Sequence, residues 1–141
     1  MKAALLILVV AISSTACRKT TDLNPKEQEV EVTDTLPILK YSGTFTSDAY
    51  GKVIGEAKIY KQQGKYFLTL DNFKSSSGAN LHLFLSKEKI PGEVFSYDLG
   101  HLKSTSEIQK YLIDENLDKM QYGYVSLFCV DTRHLFGWIK L

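Results

Sequence analysis

Two of the 141 residues are cysteines, Cys17 and Cys129, and their sulfur atoms hold the most distinctive chemistry in the chain. Cys129 ends the run Tyr124-Val125-Ser126-Leu127-Phe128-Cys129, where alternation puts it on one strand face with Val125 and Leu127. That face points into a core or a core-lined pocket. A thiol there reads in two ways. It is a small buried hydrophobe, inert because burial disfavours its thiolate, or it is a redox group or ligand that works as the thiolate. Asp131, two residues on, opposes thiolate formation if the strand continues, whereas Arg133 or His134 favours it if the turn folds back. Spacing alone leaves both readings open.

The other reactive side chains form no recognisable constellation. His82, His101 and His134 are scattered, and none has a second ligand type at metal spacing, so no metal site is expected. Ser, His and Asp occur without a local signature joining them as a triad. There is no Gly-rich phosphate loop, Cys-x-x-Cys, His-x-His or Gly-x-Ser-x-Gly. Asp114-Glu115 and Glu27/Glu29/Glu31 read as solvated faces rather than acid–base pairs. Nothing here marks a stand-alone enzyme. The eight tyrosines and seven phenylalanines are expected mainly as core and cross-strand pairs.

The amino terminus reads as an address. Lys2 precedes an unbroken apolar run, Ala3 to Ile12, followed by Ser13-Ser14-Thr15-Ala16 and Cys17. A short positive region, about ten apolar residues and small residues at a cleavage site make a secretory signal over residues 1–16. Small residues before a cysteine resemble a bacterial lipoprotein signal, with Ser14 where that motif prefers Leu. The resemblance implies cleavage before Cys17, acylation of its sulfur and new amino group, and a chain held by membrane lipid. Three acyl chains bury far more methylene than a single myristoyl group, at ~0.8 kcal/mol per CH₂. The other reading is plain secretion with cleavage after Ala16. Either way the domain is expected in the cell envelope, on a periplasmic or cell-surface side.

Residues 17–39 then read as the lipidated cysteine and a flexible tether, with Pro25, Pro37 and many charged or polar residues. A coil of ~22 residues spans roughly 25 Å r.m.s., enough to hold a domain just off a membrane. Loss of the leader removes Lys2 from 17 Lys plus Arg, leaving 16 basic against 16 acidic side chains. With no net field toward polyanions, no nucleic-acid partner is expected.

Residues 40–141 must position Cys129, and their pattern is all-β. Tyr41 to Thr46 opens the alternation. Val53 to Tyr60 and Tyr66 to Leu70 flank the turn Gln62-Gln63-Gly64, a hairpin signal with Ala57 and Ile59 on one face. Leu81, Leu83 and Leu85 share a face. Val94 to Leu99 reads as extended, Ile108 to Ile113 alternates, and Leu117 to Met120 reads as one helical turn. Tyr124 to Val130 and Leu135 to Leu141 close the chain around Asp131-Thr132-Arg133-His134. Seven to nine short strands with frequent turns predict an antiparallel β-sandwich or barrel.

Across this region the sequence resembles the DM13 domain family. The likeness runs through Ser42-Gly43-Thr44-Phe45, Val53 to Ile59, Tyr66 to Phe73 and Gly78 to Ser86. It continues in Leu102-Lys103-Ser104, Ile108 to Tyr111, Val125 to Cys129 and Phe136 to Leu141. Gly78-Ala79-Asn80 stands where the family usually has Gly-Pro-Asp, Ser104 where it has Gly, and Phe128 where it has Trp. The resemblance implies an extracytoplasmic electron-transfer module with a redox protein partner. It also implies that Cys129 is its characteristic cysteine, a naked redox thiol or a ligand to a prosthetic group such as haem. The alternative is a non-catalytic binding or scaffold lipoprotein that recognises a protein or glycan and keeps Cys129 as plain core. A small-molecule carrier using the sandwich interior is a third reading.

Overall fold

The computed structural model describes residues 36–114 and 122–141. The leader, Cys17, most of the tether and the helical turn expected at Leu117 to Met120 lie outside the described residues. Among the described residues nine strands follow one another: β1 Ile38–Thr44, β2 Thr46–Ser47, β3 Val53–Gln62, β4 Lys65–Ser75, β5 Leu81–Ser86, β6 Ser96–His101, β7 Gln109–Ile113, β8 Tyr124–Cys129 and β9 His134–Lys140. They form two antiparallel sheets, ordered β1-β3-β4-β7 and β2-β9-β8-β5-β6, in a sandwich-like arrangement. The all-β expectation holds. β1 begins at Ile38, so the first strand takes in the last two residues assigned above to the tether.

Alternation explains the core. Val53, Ala57 and Ile59 on β3, Leu68 and Leu70 on β4, and Tyr111 and Ile113 on β7 are buried from the first sheet. Leu81, Leu83 and Leu85 on β5, Val125, Leu127 and Cys129 on β8, and Ile139 on β9 join the same cluster from the second. The β3–β4 hairpin closes through Gln63 and Gly64, both at positive φ (50° and 75°), the geometry a two-residue primed turn requires. Further along, Asn72 and Phe73 oppose Gly55 in a β-bulge. Gly55 has φ +114°, and a Cβ there would lie 2.7 Å from the Phe73 Cα, so glycine is required twice over.

One sequence expectation needs correction. Val94 and Phe95 are not in a strand: β6 starts at Ser96, Phe95 stands at φ 64°, and both side chains are exposed. On β8, Ser126 and Phe128, on the face opposite Cys129, are buried as well. The segment between β5 and β6 crosses that outer face. Ser126 Oγ donates to the Lys89 carbonyl at 2.7 Å, and the Lys89 ammonium sits 5.3 Å from the Trp138 ring centre and 3.3 Å from an Asp48 oxygen. The Phe84 ring meets Phe128 edge-on beside it. Two buried faces make β8 the most enclosed strand of its sheet.

Candidate functional site

Cys129 is the last residue of β8, paired with Leu81 of β5 on one side and His134 of β9 on the other. Inward alternation buries it to 2% exposure, and it is the free thiol among the described residues. The thiol donates to the Ala79 carbonyl at 2.7 Å. One residue on, the Val130 N–H donates to the Asn80 carbonyl at 3.1 Å. The loop that precedes β5 therefore lies directly over the end of β8, although 50 residues separate Ala79 from Cys129.

The fit of that loop depends on small side chains and one unusual backbone. A Cβ on Gly78 would lie 2.7 Å from Phe136 Cζ, so a larger residue would push the loop off β9. Asn80 takes φ 52°, a left-handed conformation that Asn tolerates better than most residues. Its amide Nδ2 donates to Asp131 Oδ1 at 2.6 Å, and its Oδ1 lies 3.0 Å from His82 Nε2. His82 Nδ1 faces both oxygens of Asp98, at 2.8 and 3.0 Å. The His101 ring lies 4.1 Å from that of His82, centre to centre. Two of the three scattered histidines thus meet, because β5 and β6 pair them in register. Among the described residues no three His, Cys, Asp or Glu side chains are grouped to hold a metal.

A second loop, from His101 to Thr105, faces the first. Gln109 organises it from an inward position on β7. Its Oε1 accepts the N–H groups of Lys103 and Ser104 at 2.9 and 3.1 Å and the Tyr111 hydroxyl at 2.7 Å. Its Nε2 donates to the Ser104 carbonyl at 2.6 Å. Burial raises the pKa of the Tyr111 phenol, against an opposing pull from the Lys103 N–H. Between the loops lies a cavity of about 270 Å³, lined by Gly78, Asn80, Leu81, His101, Lys103 and Ser104 among others. Two of the departures from the family pattern, Asn80 and Ser104, line this one space.

Cys129 does not line the cavity; the loop its thiol touches does. Of the residues weighed as modulators of the sulfur, Asp131 turns to the Asn80 amide and His134 stacks on Tyr50 with ring centres 3.7 Å apart. A haem ligated by Cys129 does not fit this arrangement. The sulfur is covered by a carbonyl and does not line the adjacent space. Nor does that space have the large apolar lining an axial thiolate site needs.

Asn80, His82, Asp98 and Gln109 escaped the sequence reading as parts of this region. For Gln109 a signal existed: a polar residue at an inward position of the alternating run Ile108 to Ile113 must find buried partners. The Asn80–His82 contact had none, because it depends on loop conformation. No curated protein and no solved structure matches the chain. The family described as Electron transfer DM13 matches residues 44–141, well over half of the sequence and all of the paired sheets except most of β1. The chain therefore belongs to the DM13 family of electron-transfer domains.

Proposed function

We propose that this protein is a redox module held to a membrane by lipidated Cys17, with Cys129 as its working thiol. The family match is the observation that carries the redox reading, and the placement of Cys129 beneath a single exposed loop supports its choice as the group. The chemistry open to one thiol is exchange with a partner disulfide. Cys129 loses its proton, the thiolate attacks one partner sulfur, a new S–S bond forms, and the second partner sulfur leaves as a thiolate that takes a proton. One thiolate of a donor dithiol then attacks the Cys129 sulfur, the acceptor's sulfur leaves as a thiolate and takes a proton, and the donor's second thiolate closes the donor's own S–S bond, returning Cys129 to the thiol. Two electrons pass from the donor dithiol to the acceptor disulfide.

The test is equilibration of the folded full chain with glutathione buffers of graded potential, followed by peptide mass analysis. The expected result is a mixed disulfide at Cys129 that forms and reverses while the chain stays folded. A thiol that stays reduced until the chain unfolds would overturn the reading.

One observation favours a second reading. Burial at 2% exposure is what a structural thiol needs, and the non-catalytic binding lipoprotein requires no more of Cys129. In that case Cys129→Ala lowers stability and changes no electron-transfer property.

A further inference from the structure

Ser77, Gly78 and Ala79 are exposed, and short side chains give this stretch little apolar surface to bury. What holds it on β8 is polar. Four side chains form a line across that end of the second sheet: Asp98 on β6, His82 on β5, Asn80 at the entry to β5 and Asp131 in the β8–β9 turn. The Asn80 amide can face only one way, because its nitrogen is the group able to donate to the Asp131 carboxylate. Its oxygen is thereby left to His82, whose other ring nitrogen meets Asp98. The backbone bond from Val130 N–H to the Asn80 carbonyl completes the attachment.

We propose that this line is a latch that keeps the Gly78–Asn80 loop closed over Cys129, and that its release opens the thiol toward the cavity. The inference rests on the reading of Cys129 as the working thiol, and it supplies what that reading lacks, a route to a buried sulfur. Lifting the loop breaks the contacts of Asn80 and the Ala79–thiol bond but leaves the core of both sheets packed. Such a motion belongs to the low-stability local openings of a folded chain, not to unfolding. Asp98 reaches the sulfur only through His82 and Asn80, so it is a positioning residue for the loop.

The test is the rate at which a maleimide labels Cys129 in the folded full chain, with the labelled site identified by peptide mass, in wild type, Asn80→Ala and Asp98→Ala. The net worth of a hydrogen bond corresponds to up to about tenfold in an opening equilibrium, so Asn80→Ala is expected to accelerate labelling about tenfold or more. Asp98→Ala is expected to accelerate it about threefold, without touching the loop. Both rates should be nearly independent of urea at low concentration. Wild-type rates in both variants, or a rate that climbs with urea along the global unfolding line from the start, would overturn the latch. Should Asn80→Ala not fold, Asp98→Ala decides alone. Label entry reports only the opening, whereas the glutathione equilibration reports electron exchange, so the failure of one is distinguished from the failure of the other.

Discussion

At the scale of the residue, one buried amide does much of the organising. Gln109 satisfies two loop N–H groups and a phenol with one oxygen, in a place where each orphaned group costs ~1–3 kcal/mol. Gln109→Ala is therefore expected to lower stability by about 3 kcal/mol in urea unfolding and to loosen the His101 to Thr105 loop. Leu112→Ala on the same strand, half exposed, should cost under ~1 kcal/mol. Tyr111 gives the pH signature. Burial raises its phenol pKa above the ordinary value of 10.0, so the folded chain holds that proton more tightly than the unfolded chain does. Its contribution is fully present below pH ~10 and is lost as pH rises through the folded value. Ultraviolet titration should show a tyrosine ionising above the ordinary phenol range, with stability falling over the same interval, and Tyr111→Phe should remove that tyrosine's contribution.

At the scale of the element, Gly55 is the position where the backbone leaves least choice. A Cβ there meets the Phe73 backbone and the carbonyls of Asp71 and Asn72 at 2.7 to 2.9 Å, on a residue at φ +114°. Gly55→Ala combines strained backbone with overpacking and is expected to cost about 3 kcal/mol in urea unfolding, whereas Gly64→Ala, with open space around it, should cost only its backbone strain. The strands were legible because a period of two is written directly in Leu81/Leu83/Leu85 and Val125/Leu127/Cys129. The segment across the outer face of β8 was not, since Ser126 and Phe128 find their cover through Lys89 and Phe84. Likewise Val94 and Phe95 have the composition of a strand, yet Phe95 turns left-handed and the alternation gives no sign of it. The site divides the same way. An inward Cys129 follows from parity, while the Ala79 carbonyl over it depends on a loop 50 residues distant.

At the scale of the whole molecule, the leader, the tether and the β domain form one proposal: a domain kept near a lipid surface and exchanging electrons with a protein partner. Anchoring predicts that the full chain expressed with its leader partitions with membranes and carries acyl groups on Cys17. Cys17→Ser should release it to the soluble envelope fraction while its β domain unfolds at an unchanged urea midpoint. An unmodified Cys17, or a variant that stays on the membrane, would argue for plain secretion or another attachment. A working Cys129 also separates the module from an adhesive domain of the same shape, since binding surfaces need no thiol. The most direct measurement is the redox state of Cys129 in the folded full chain across graded glutathione potentials. The account predicts a reversible, folded mixed disulfide at Cys129 that Asn80→Ala forms faster. A sulfur that stays reduced at every potential until the sheets come apart would contradict it.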